Sequence, residues 1–215
     1  AARRLDRLEE LATEIGGRAV ACDVTSADDV AALATAVGGR LALLVNNAGG
    51  ALGTEKVADA DLDHYRQMYE TNVLGTVAVT KALLPALIDS GAGTIVTVTS
   101  TAGQLAYEGG GGYCAAKFAE VAISNTLRLE LCGLPVRVCE IAPGLVKSEG
   151  FALTRYDGDE AKAAKVYEGV AQPLTEDDIA ECISFMACLP HHINIDLMTV
   201  RPLAQASAYK IDRRN

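Results

Sequence analysis

The chain has 215 residues, half of them hydrophobic, and 28 acidic against 19 basic residues give a formal net charge of −9. That length suits one domain with a sizeable core. The acidic balance argues against a phosphate-backbone partner and an anionic membrane surface, and no apolar run in the sequence approaches the roughly 20 residues that cross a bilayer.

Leu5, Leu8, Leu11, Ala12 and Ile15 recur at helical spacing, and Gly16-Gly17 stops that helix. A short strand is expected over 18–21, running into Asp23. Residues 26–29 carry cap and first-turn chemistry for a helix to about Val37. The apolar run 41–45, bounded by Gly39 and Asn46, suits a strand buried on both faces. A long helix is expected over 61–88, bent near Pro85.

Alternating β-branched residues predict a strand over 94–99, followed by a helix over 113–131 and a strand over 136–141. Two further helices are expected over 160–168 and 176–187, and a last strand around 197–201. Apolar strands alternating with helices imply an α/β fold: a Rossmann-like, doubly wound parallel sheet in a three-layer α/β/α sandwich. Ligands of such sheets bind outside the carboxyl ends of the strands.

The six cysteines, at 22, 114, 132, 139, 182 and 188, have no C-x-x-C pair and no histidine at metal-ligand spacing. They read as buried reduced thiols of a cytoplasmic protein. His191-His192 reads as a surface turn, so no metal site is expected.

Four features sit after a strand or on the helix that follows it. Asn46-Asn47-Ala48-Gly49 ends the strand at 41–45, where small residues let backbone approach a flat ligand and amides can tie strands together. Ser100 follows the strand at 94–99. Tyr113 and Lys117 are four apart on a helix, so phenol and ammonium share one face. Asn72 lies in the apolar middle of a helix, where a buried amide needs partners. Taken singly, each has an ordinary structural reading: a polar strand end, a turn cap, a solvated pair, a polar core contact.

In this order and spacing, with Pro143-Gly144 after the next strand, the set resembles the short-chain dehydrogenase/reductase family along essentially the whole chain. The resemblance implies an NAD(P)-dependent oxidoreductase with Asn72, Ser100, Tyr113 and Lys117 as its catalytic tetrad. It implies Asp23 and Val24 beside the adenine, Asn46, Ala48 and Gly49 along the adenosine, and Pro143, Gly144 and Val146 beside the nicotinamide, with Tyr113 and Lys117 also on the cofactor. It further implies that Asn72 holds a water linking Lys117 to solvent.

Elementary chemistry agrees with these roles. A tyrosine ordinarily titrates near roughly 10, and a lysine ammonium beside it favours the phenolate that proton exchange needs. A serine hydroxyl can bind the substrate oxygen as charge develops there. In family members that use the phosphorylated cofactor, arginine at the end of the second strand contacts the 2′-phosphate. Arg3 and Arg4 occupy that place, so NADP(H) is expected over NAD(H).

The chain opens where the family's second strand ends. The expectation is therefore a single domain over 1–215, N-terminally incomplete and without the first strand–helix unit and its phosphate-binding glycine loop. Residues 109–112, 148–151, 191–196 and 200–202, together with Arg155, resemble a bacterial subgroup acting on 3-hydroxy acids such as serine. Arg155 is a candidate carboxylate ligand, and Gly150 departs from that subgroup's usual run into Phe151. The substrate expected is a small secondary alcohol or its ketone, and the resemblance implies a homotetramer or dimer built on the long helices. Two other classes compete. A non-catalytic cofactor-binding or scaffold protein of the same fold would fit a chain without its glycine loop, and a cofactor titration separates it. A sugar-nucleotide epimerase can share Y-x-x-x-K but needs a longer chain.

Overall fold

The computed structural model describes residues 1–214. Four parallel strands, β1 (Leu43–Asn46), β2 (Gly93–Val98), β3 (Val136–Pro143) and β4 (Met198–Val200), form one sheet in the order β1-β2-β3-β4. Each neighbour is reached by a crossover containing helix, as parallel pairing requires. Helices lie on both faces, which is the Rossmann-like arrangement expected.

Helices α2 (Ala27–Val37), α4 (Gly75–Asp89) and α5 (Gly111–Glu130) cover one face. There Leu44, Ile95 and Val138 of the strands meet Val30, Val79, Leu83 and Leu87 of the helices in one apolar cluster. The other face packs Val96, Cys139 and Ile141 against Ile179 and Met186 of α8 (Glu176–Cys188). Helix α8 reaches β2 and β3, and β1 is covered on one face only: Leu44 and Asn46 are buried while Leu43 and Val45 stay 36% exposed. The expectation of a strand buried on both faces fails for that reason.

The strand expected over 18–21 is reduced to a single bridge between Ala2 and Ala21. Pairing ends there because the chain turns at once into α1 (Leu5–Ile15), which caps on Gly16 in the left-handed region at φ 67°. Helix α1 buries no residue among those described.

The long helix runs from Leu62 to Asp89, and its irregularity lies elsewhere than expected. Helix α3 (Leu62–Met68) passes through a π-helical turn, Tyr69–Leu74, into α4, whereas Pro85 sits inside α4 without ending it. This helix is also long and apolar enough to span a membrane, contrary to the sequence-based expectation. Its apolar face, however, is the one packed on β1 and β2.

Of the cysteines, Cys22, Cys114 and Cys139 are buried, but Cys132 and Cys188 are exposed, which corrects the expectation that all are interior. Between β3 and α8 lie two short helices, α6 (Phe151–Arg155) and α7 (Glu160–Lys165). The first of these had no counterpart in the sequence reading.

Candidate active site

The carboxyl ends of the first three strands converge on one crevice. Asn46 ends β1 and its Nδ2 donates to Thr80 Oγ1 on α4 at 2.9 Å, so the strand end is tied to the helix behind it. Beyond it, Asn47, Ala48 and Gly49 are exposed, the last two with little or no side chain over the backbone. Gly49 leaves room for Asn72: a Cβ there would overlap Asn72 Oδ1 and force that side chain to shift.

Asn72 is fully buried in the π-helical turn. Its Oδ1 accepts from Gly50 N at 3.0 Å, and its Nδ2 donates to Gly50 O at 3.1 Å and to Met68 O at 2.6 Å. A π-turn disturbs the regular bonding of the helix backbone. Here the side-chain amide binds the carbonyl one turn back and the loop after β1 together.

Ser100 follows β2 and begins the short 3-10 turn Thr101–Gly103; its Oγ accepts from Ala102 N at 3.1 Å and reaches Pro143 O, at the end of β3, at 3.5 Å. A Cβ on Gly103 would come within 2.8 Å of Lys117 O, so this glycine lets the turn seat against α5.

Tyr113 and Lys117 occupy adjacent turns of α5, both buried, with Lys117 Nζ 5.8 Å from the Tyr113 ring centroid. Lys117 Nζ donates to Val98 O at 3.0 Å and pairs with Glu120 Oε2 at 2.7 Å. Glu120 was missed in the sequence. So was Glu140 on β3, a buried carboxyl that accepts from Thr99 Oγ1 at 2.8 Å. Burial pushes the pKa of both carboxyls up, and Lys117 opposes that shift in each.

Beside Tyr113 the edge of the Phe151 ring packs at 5.6 Å, and the Arg155 guanidinium stands 5.9 Å from its centroid. Arg155 is not a solvated loop residue. It donates to Tyr107 Oη at 2.8 Å and to the carbonyls of Gly53 and Gly109 at 3.2 Å each. These contacts use three of its five N–H groups. A pocket of about 290 Å³ opens here, lined by Thr54, Tyr107, Phe151, Arg155 and Val166 among others.

The remaining sequence candidates lie on the segments before α2 and from the end of β3 onward. Arg3 and Arg4 are exposed, and Arg3 contributes to holding the Asp23 carboxyl below its usual range, after the stronger hydrogen bonds from Thr25. The Val24 side chain fills the space beside Gly75, where a Cβ would come within 2.5 Å of it. Pro143 is buried, and Gly144 and Val146 are half-buried, with Gly144 N donating to Val200 O at 2.7 Å. The structure thus brings Asn72, Ser100, Tyr113 and Lys117 together around Gly49 and the ends of β2 and β3.

Three comparisons place this chain among known proteins. The family described as "short chain dehydrogenase" matches residues 1–157. An uncharacterised oxidoreductase of Mycobacterium tuberculosis is 56% identical over 208 residues, covering 96% of this chain and 81% of that protein. A sulfoacetaldehyde reductase of Chromohalobacter salexigens is 44% identical over 219 residues, covering 98% and 86% respectively. Among solved structures, the closed form of serine dehydrogenase complexed with NADP+ superposes with a TM-score of 0.92 at 35% identity, over 96% of this chain and 85% of that one.

Proposed function

The chain belongs to the short-chain dehydrogenase family, and we propose that it transfers a hydride between NADP(H) and a small alcohol bearing an acid group, with Tyr113 as proton carrier. The observation that carries this reading is the convergence of Tyr113, Lys117 and Ser100 on one crevice whose wall also bears the half-buried cation Arg155.

The residues present fit a dinucleotide. The backbone of Ala48 and Gly49 is exposed at the crevice floor, where a side chain at Gly49 would overlap Asn72. The exposed guanidinium groups of Arg3 and Arg4 suit a 2′-phosphate. Asp23, Val24, Asn46, Ala48 and Gly49 would hold the adenosine, and Pro143, Gly144 and Val146 the nicotinamide, with Lys117 and Tyr113 toward the ribose. When bound, the nicotinamide gives or takes the hydride.

The protein's own groups handle the proton. In alcohol oxidation the Tyr113 oxygen takes the hydroxyl proton, and in reduction it returns one to the nascent alkoxide. The Lys117 ammonium favours the phenolate form, and Ser100 Oγ donates to the substrate oxygen as negative charge grows on it. The Asn72 side chain binds Gly50 and Met68, which holds the loop beside Gly49 in place and leaves one acceptor site on Oδ1 for the water expected there.

Arg155 gives the substrate class. Its two N–H groups not used by Tyr107, Gly53 and Gly109 suit a carboxylate or sulfonate, in keeping with similar proteins named for serine and sulfoacetaldehyde. Exposed apolar side chains on the long helices, Leu74, Val77, Phe118 and Leu129, favour a homodimer or tetramer. Sedimentation velocity tests that assembly.

The deciding experiment is the oxidation of L-serine and 3-hydroxybutyrate with NADP+ and with NAD+, in the wild type and in Tyr113→Phe. Turnover should fall by about 10²–10⁴-fold in the variant while NADPH fluorescence on binding persists. Near-wild-type turnover in Tyr113→Phe removes this residue from the mechanism.

A further inference from the structure

The buried face of α5 carries a stripe of polar side chains where a core helix ordinarily carries apolar ones. Tyr113, Lys117, Glu120 and Ser124 fall at helical spacing on that face, with exposures of 8%, 5%, 1% and 1%. Hydride transfer as described above employs the first two and has no role for Glu120. Burying a carboxyl is costly unless it is paired, and the geometry names the partner: Glu120 Oε2 lies 2.7 Å from Lys117 Nζ.

We propose that Glu120 is a positioning residue that acts through Lys117: it anchors the ammonium and, by its own charge, limits how strongly that ammonium favours the Tyr113 phenolate. This deepens the acid/base role proposed for Tyr113 and rests on it.

Two constraints on Lys117 support the assignment. The ammonium is held from two directions, by Val98 O at the end of β2 and by Glu120 one turn further along α5, so its position beside the Tyr113 ring is fixed by the protein itself. The lysine is also nearly desolvated, and burying a charge is costly unless it is paired. The charged groups facing Glu120 are Lys117 on its own helix and Glu140 from β3. Arg128, further along α5, acts on Glu140 in turn. Burial and Glu140 raise the Glu120 carboxyl while Lys117 lowers it, so the charge of this group changes at a pH above that of an exposed glutamate.

The sign of the effect is fixed by electrostatics. An anion next to the Lys117–Tyr113 pair disfavours the phenolate, so removing that anion shifts phenol ionisation to lower pH. The test reads tyrosinate absorbance near 295 nm against pH in the protein without substrate, subtracting the same titration of Tyr113→Phe to isolate one ring. In Glu120→Gln the midpoint should fall by about half a pH unit or more, and Glu120→Asp, which keeps the charge, should return most of the shift.

A merely structural role for Glu120 would lower the melting temperature in Glu120→Gln and leave the midpoint where it is; that result overturns the proposal. The reciprocal measurement does not depend on that variant folding. With ¹³C-labelled glutamate, the carboxyl resonance of Glu120 should titrate at higher pH in Lys117→Gln than in the wild type, and an unchanged titration overturns the proposal equally. Neither readout needs turnover. Failure of the acid/base role shows instead as full activity in Tyr113→Phe, an outcome distinct from both.

Discussion

Asn72 and Gly50 grip each other through a reciprocal pair of hydrogen bonds, the amide side chain imitating one rung of a backbone ladder. One residue inside a helix thereby fixes the loop that follows a strand, and with it the bare backbone at Gly49.

Removing that grip should cost both stability and catalysis. Asn72→Ala leaves Gly50 and Met68 with unpaired polar groups in the interior, at about 1–3 kcal/mol for each group that finds no water. Urea denaturation should show a loss of about 3 kcal/mol, and turnover should fall more than the KM for NADP+ rises. A variant as stable as the wild type would mean that the loop rebuilds its bonds elsewhere.

Arg155→Met tests the substrate class. Loss of a charge-assisted contact is worth about 1.5–3 kcal/mol, so the KM for a 3-hydroxy acid should rise roughly ten- to hundred-fold. A neutral alcohol of similar size should be turned over about equally well by both proteins. Equal losses on acid and neutral substrates would place Arg155 in the architecture of the pocket and not in recognition.

Arg137 predicts a different failure. Its guanidinium, buried on β3, donates to Thr94 Oγ1 and to the carbonyls of Met186, Ala187 and Ile193 at 2.8–3.1 Å, closing the carboxyl end of α8. Arg137→Met preserves bulk but orphans those carbonyls. We expect a loss of about 1–3 kcal/mol for each carbonyl that finds no other donor, with hydrogen exchange accelerating first in α8.

The two buried carboxyls set a pH dependence. Burial raises Glu120 and Glu140 above their unfolded values, so the folded state holds these protons more tightly than the unfolded chain. Stability from this source is full below the ordinary glutamate pKa of roughly 4.3 and is lost as pH rises through the raised folded values. The exposed carboxyls of Asp159, Asp178 and Asp212, lowered mainly by hydrogen bonds, act with the opposite sign in a more acidic window. Melting temperature should therefore decline as pH rises above the ordinary glutamate range, and Glu140→Gln should flatten the decline. An equally steep curve in the variant would assign the slope to other groups.

The clustering of Tyr113, Lys117 and Ser100 was legible because the fold turns short spacings into proximity: Tyr113 and Lys117 share a helix face, and Ser100 comes just after an apolar strand, as Asn46 and Pro143 end theirs. The residues that escaped notice are those whose environment comes from distant segments. Glu120 lies at the next repeat of the Tyr113–Lys117 face, but its burial comes from the packing of α5 on β3. Arg137 interrupts an apolar strand and finds its partners on α8, far along the chain. The π-helical turn at Tyr69–Leu74 has no local signature, whereas Pro85, the expected breaker, is accommodated inside α4. The segment at 18–21 has strand composition but only Ala2 to pair with.

The parallel register has a kinetic consequence. Leu43 pairs with Thr94, Thr94 with Arg137, and Ile141 with Met198, so every rung joins residues dozens of positions apart. A chain with so few local rewards must close large loops before it gains from them, and such topologies fold slowly. Tyr113, Ser100, Asn72 and Pro143 lie on separate stretches of that chain, so no early, partly assembled form contains a crevice to occupy. Dinucleotide added during refolding should therefore raise the final yield by mass action on the finished state and leave the rate at which that state appears unchanged.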